Sequence, residues 1–182
     1  MAALLLAGLS IAATPAGTSG RAPTIMALRA RADAHVNAAT RTENYGRARR
    51  VHVDASPLVR TYLRFHIGTY VGDVARVNLL LYSRTRSAIG FRVRRVTEGW
   101  RERRITFENA PRLSMRSVAS GPLVAQTWEA VDVTTLVGGV EDKDVSFALS
   151  TTALRDIALA SRESGVTGPR LVLEIDPPAE EP

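Results

Sequence analysis

Between Arg60 and Gly68 the chain alternates strictly, with Leu63, Phe65 and Ile67 on one side and Tyr62, Arg64 and His66 on the other. Extended backbone sends successive side chains to opposite faces, so this stretch reads as a half-buried antiparallel strand. The pattern recurs along the sequence at short spacing. Arg50–Asp54 places Val51 and Val53 together, and Val74–Ser83 sets Val77, Leu79 and Leu81 against Asn78, Leu80 and Tyr82. Phe91–Val96 puts Phe91 and Val93 inward with Arg92 and Arg94 outward. Thr127–Val133 and Asp144–Thr151 alternate likewise, while Ala32–Val36, Ile157–Glu163 and Arg170–Ile175 supply the first and last strands. Only Thr134–Val137 suggests a helical turn. The absence of a long amphipathic helix excludes Rossmann and TIM architectures, and the absence of an internal repeat excludes solenoids and propellers. Strands without helices bury their apolar faces by stacking sheets. The expected fold is all-β, a jelly-roll-like antiparallel β-sandwich of roughly nine or ten strands.

Local composition sets the boundaries. Met1–Ala16 is apolar and rich in small residues, with Thr14-Pro15-Ala16 as an exit, which predicts a secretory leader over 1–20 and a secreted, extracellular product. It lacks the basic start of a typical leader and is too short to span a bilayer, which takes about 20 apolar residues, so no stable membrane insertion is expected. A linker is predicted over 21–30, the sandwich over 31–176, and an acidic, Pro-rich tail over 177–182. The chain of 182 residues suits one such domain, expected to act as a monomer. It has no cysteine, which removes disulfides, thiolate metal sites and a Cys nucleophile.

The charge is one-sided. The net value is +6, and Lys143 is the only lysine, so nearly all the positive charge is guanidinium. Such a balance favours acidic partners, and the planar Arg fork matches carboxylate and sulfate. A solvated, Arg-rich surface gives the same composition. The outward residues Arg64, Arg92 and Arg94, with Tyr62 and Tyr82, are the candidate ligand-binding set. Guanidinium forks and ring faces on one sheet would suit a polyanion with sugar rings.

Catalytic signatures are missing. His35, His52 and His66 do not pair at metal-binding spacing, and there is no nucleophile elbow, phosphate loop or dinucleotide fingerprint. The chain is therefore read as no enzyme, with no cofactor assigned. Nucleic acid is not an expected partner, because neither a recognition helix nor an aromatic RNA-binding pattern occurs. Asp33 with Asp132 or Glu163 could hold a structural calcium. An ion pair of Arg162 with Glu163 or Asp33 accounts for the same residues without metal.

The segment Val96–Pro111 stands apart. Glu98-Gly99 reads as a turn, Ile105–Phe107 as a short strand and Asn109–Pro111 as a stop, with Trp100 as a structural plug in the irregular part.

In order along the chain stand Ala32–Val36, Asn44-Tyr45-Gly46, Val51–Asp54, Arg60–Phe65, Val77–Tyr82, Trp100–Pro111 and Trp128–Thr134. Val145–Leu149, Ala160–Glu163 and Pro169–Leu173 complete the series. This series resembles the DNRLRE (disaggregatase-related) domain, grouped with carbohydrate-binding module family 96, over about residues 31–175. The resemblance implies a secreted β-sandwich that binds acidic polysaccharide, alginate being the known type. It carries no ligand residue over to this chain. Here His66 stands where members commonly have Asp, and these 182 residues are expected to carry no enzymatic segment of their own. The alternative function is a structural or adhesion module that binds protein or wall material.

Overall fold

The computed structural model describes residues 21–137 and 144–178. The leader lies outside the described residues, as does most of the tail. Among the described residues there are eleven strands: β1 (Thr24–Arg29), β2 (Ala32–Asn37), β3 (Arg50–Ala55), β4 (Leu58–His66), β5 (Asp73–Ser83), β6 (Arg92–Val96), β7 (Val118–Ala119), β8 (Thr127–Asp132), β9 (Asp144–Ser150), β10 (Ile157–Ala160) and β11 (Arg170–Asp176). Their order is β1-β11-β5-β10-β3-β4-β9-β6-β7, with β2 added on β4 and β8 on β5, and every pairing is antiparallel.

β3 joins the two layers. Its residues Arg50–Val53 pair with β10, whereas Asp54 and Ala55 pair with β4. One sheet thus folds over on itself, and its inner faces meet as a sandwich. Val77, Leu79, Leu81, Leu171 and Leu173 from one layer share a buried cluster with Leu63, Phe65, Val93, Phe147 and Leu149 from the other. The inward residues read from alternation are the core residues. The expected all-β sandwich is the observed one, and Thr134–Val137 forms the anticipated helical turn. Among the described residues no helix is long and apolar enough to cross a membrane.

Two local expectations are corrected. The supposed linker over 21–30 contains β1, in register with β11 from Thr24↔Ile175 to Arg29↔Arg170. β1 is exposed along much of its length, and only Met26 and Leu28 touch the core, so its apolar signal is weak. Ile105–Phe107 is not a strand. The segment from Thr97 to Ala110 is a series of turns lying over the outer face of β2, β4, β9 and β6, where Trp100 and Ile105 join Ala34, Val36, Tyr62 and Ala148 in a second buried cluster.

Asn44 and Gly46 clasp that segment. Asn44 Nδ2 donates to the carbonyls of Glu102 (2.8 Å) and Ile105 (2.7 Å). A Cβ on Gly46 would lie 2.2 Å from the Glu102 carbonyl oxygen, so only glycine permits the approach. Gly46→Ala is expected to lower stability by about 1–3 kcal/mol, the usual cost of overpacking against backbone. A urea midpoint equal to that of the wild type would show that the segment yields freely.

Candidate functional site

The outer face of the β4-β9-β6 layer collects the basic residues. Register places Tyr62 opposite Ala148 and Ala148 opposite Arg94; Arg64 faces Ser146, and Ser150 faces Arg92. β9 contributes Asp144, opposite His66, and then only the short side chains Ser146, Ala148 and Ser150 to this face, which leaves a low lane between the taller residues of β4 and β6. Arg64, Arg92 and Arg94 share one face: parity turned each outward, and strand order set β4 and β6 on either side of β9. Arg60 joins them, two residues before Tyr62 on β4.

Trp100 divides the lane. Its indole N–H donates to Ser146 Oγ at 3.3 Å, and its ring packs 6.0 Å from that of Tyr62. Arg64 lies with its guanidinium 4.7 Å from the Trp100 ring centroid and donates to the Trp100 carbonyl. Arg64 thus holds the plug and lines a cavity of about 450 Å³ beside it, with Glu98, Asp144 and Ser146.

Arg60, Arg92 and Arg94 form the other group. Arg94 Nη1 donates to Ser150 Oγ at 2.6 Å and Arg92 Nη1 to Ser117 Oγ at 3.0 Å, while the buried Nε of Arg60 has no hydrogen-bond partner. Among the described residues no carboxylate pairs with any of the three. Partial burial, and then the charges of Arg92 and Arg60, push Arg94 below its ordinary range. Removing a guanidinium from water beside like charges disfavours its charged form, and a bound anion reverses that. Arg92 and Arg94 border a cavity of about 260 Å³ floored by Ser150, Thr151 and Ala119.

The two tyrosines of the expected set are not on this surface. Tyr62 points to the outer face but is fully buried under Trp100, and its hydroxyl donates to the Pro111 carbonyl at 2.9 Å. Tyr82 belongs to β5, in the other layer, where its ring meets Trp128 edge-on at 5.6 Å. The single surface of rings and forks read from the sequence is split by a covering loop and by strand order.

A second polar cluster lies where the 97–111 segment meets β2 and the 3₁₀ segment Arg162–Thr167. Asp33 N–H donates to Glu102 Oε1 at 2.9 Å, and Arg162 Nε and Nη2 reach the two Glu102 oxygens at 2.6 and 3.0 Å. Arg162 also pairs with Glu163 at 3.1 Å, and its backbone N–H donates to Asp33 Oδ2 at 2.6 Å. Asp33, Glu102 and Glu163 each bring an oxygen within 4.8 Å of the others. These are the residues that could lend oxygens to a cation, yet Arg162 already stands among them as the positive charge. Asp132 is elsewhere, accepting from Thr134 N–H (2.9 Å) and Oγ1 (2.6 Å) at the helical turn. Glu102 was not foreseen. Its only signal was its place in the Trp100–Pro111 block.

Three acids around one guanidinium leave negative charge in excess. Burial, opposed by the backbone N–H and charge of Arg162 and aided by the charges of Glu163 and Glu102, raises the Asp33 carboxyl to about 7. His35, close to it in sequence, moves the opposite way: burial and then His52 lower it to about 4. Its ring stacks on Tyr45 at 4.3 Å. The other two histidines each meet a carboxylate through Nδ1, His52 with Asp156 at 2.8 Å and His66 with Asp144 at 2.7 Å.

A search of curated proteins finds no match. A scan against protein-family models matches residues 24–175 to carbohydrate-binding module family 96, a span that begins at β1 and ends within β11. With that match covering the whole sandwich, the chain belongs to carbohydrate-binding module family 96.

Proposed function

We propose that this chain is a secreted, non-catalytic module that binds acidic polysaccharide through the face bearing Arg60, Arg92 and Arg94. The observation that carries the reading is the grouping of three guanidiniums with no carboxylate partner among the described residues. Each fork can donate to a uronate carboxylate through two parallel hydrogen bonds, and a polymer satisfies several at once. Trp100 covers the lane at Ala148, so the polymer lies at the open end, along the cavity of about 260 Å³ beside Arg92, Arg94 and Ser150.

Non-catalytic action is supported by the lining of the Arg92–Arg94 cavity, which contains no carboxylate, histidine or tyrosine to serve as general acid or base. Export is supported by the apolar Ala2–Ala13 stretch.

Affinity electrophoresis through gels containing alginate tests the proposal. Migration is expected to slow at low salt and to recover as ionic strength rises, because exposed charges are screened. The Arg92→Ala/Arg94→Ala double variant is expected to lose about tenfold or more in affinity, as charge-assisted hydrogen bonds contribute about 1.5–3 kcal/mol each. No retardation by any acidic polymer at low salt would refute the function.

A further inference from the structure

We infer that the opposite layer carries a second uronate-binding surface, built on Trp128 and gripped by Arg84 and Arg170. Register places Trp128 of β8 directly against Tyr82 of β5, and Ala130 against Leu80, which in turn faces Arg170 of β11. Trp128 is 38% exposed and is the one aromatic among the exposed large apolar residues described. Its outward neighbour two residues along is the small Ala130, so the indole stands above a low floor.

Charge frames the ring pair. The Arg170 guanidinium sits 4.9 Å from the Trp128 centroid, and that of Arg84 sits 5.2 Å from the Tyr82 centroid. Neither has a carboxylate partner among the described residues. Arg170 donates to the Val166 carbonyl at 2.7 Å, and Arg84 reaches Thr167 Oγ1 at 3.4 Å while its buried Nε stays without a partner. An indole left partly bare offers its face to the C–H side of a pyranose ring. A guanidinium beside each ring selects sugars that carry a carboxylate. The occupant is therefore a uronic-acid polysaccharide; a neutral glycan would use the ring and leave both cations unanswered.

The two surfaces stand back to back across a sandwich about 10 Å thick, which no single sugar spans from face to face. One molecule then holds two polysaccharide chains and cross-links them. This second surface rests on the proposed preference for uronates, but its residues are separate from Arg60, Arg92 and Arg94.

Fluorescence and cross-linking test it together. Trp100 is buried at 6% exposure, so acrylamide quenching reports chiefly on Trp128. Short alginate oligosaccharides are expected to shield Trp128 from acrylamide and shift its emission to the blue, in the wild type and in Arg92→Ala/Arg94→Ala alike. Trp128→Ala is expected to weaken the oligosaccharide binding that persists in Arg92→Ala/Arg94→Ala by about three- to tenfold, with Trp128→Phe recovering part of it. Arg170→Gln should weaken the same residual binding with the ring left in place. Long alginate chains should become turbid with the wild type and stay clear with Trp128→Ala, each variant first being matched to the wild type by thermal unfolding. Loss of all binding and of the Trp128 signal in Arg92→Ala/Arg94→Ala overturns the second surface alone. Full binding in that variant, abolished by Trp128→Ala, overturns the first site instead. No binding of alginate by the wild type overturns both.

Discussion

Trp100→Ala is expected to cost about 3–5 kcal/mol of stability, the range for truncating a large buried aromatic. The indole covers Tyr62, which is fully buried, and closes the cluster that includes Ala34, Val36 and Ala148. Truncation opens that cluster to water, removes the hydrogen bond to Ser146 and takes away the ring beneath the Arg64 guanidinium. No neighbouring element can collapse inward, because the face below is the paired surface of β4 and β9. Urea unfolding measures the loss. Alginate binding by the folded fraction should be largely kept, since Arg92 and Arg94 stand on β6 and hydrogen-bond to Ser117 and Ser150. A Trp100→Ala protein as stable as the wild type but unable to bind would reassign the segment to the ligand.

The second large effect is in pH dependence. Asp33 titrates at about 7 in the folded protein against an ordinary value of 3.8, so the folded state holds this proton more tightly than the unfolded one. Its contribution is fully present below about pH 4 and is lost as pH rises through about 7. His35 titrates at about 4 against 6.5, so its contribution is present above about pH 6.5 and lost as pH falls through about 4. The two slopes oppose each other from about pH 4 to 6.5 and largely cancel in the wild type.

Asp33→Asn separates them. The amide oxygen can still accept from the Arg162 N–H, and the amide nitrogen offers a donor to the acidic side of the cluster, where the buried Glu163 Oε2 lacks a partner. The variant should gain about 2–4 kcal/mol on the wild type as pH rises from 4 to 7, because each tenfold difference in proton affinity between the folded and unfolded states is about 1.4 kcal/mol. The variant itself should become more stable as pH rises from 4 to 6.5, exposing the His35 slope. His35→Phe should do the reverse, gaining on the wild type as pH falls over the same window. Urea unfolding at a series of pH values reads all three proteins. Parallel stability curves for Asp33→Asn and the wild type would mean that Asp33 is ionised at neutral pH.

Glu102 shows why this cluster was half legible. Arg162, Glu163 and Asp33 could be anticipated as charges in need of one another, because first and last strands often pair. Glu102 lies 69 residues from Asp33 and reaches it only through the path of the covering segment. β1 was missed for a different reason. As a peripheral strand with both sides largely exposed, it is under little pressure to alternate.

By itself the sequence determined which residues face inward. Leu63, Phe65, Val77, Leu79, Phe147 and Leu149 are all fully buried, and Arg64, Arg92 and Arg94 all point the other way. That follows from backbone geometry alone, since a period of two is a property of each strand before it finds a partner. Only the tertiary structure decided which strands became neighbours and what came to lie over them. Strand order put Tyr82 beside Trp128 rather than beside Arg94, and the turn-rich segment carrying Trp100 buried Tyr62. Both depend on contacts between residues far apart in the chain, where alternation names a face but neither its neighbour nor its cover.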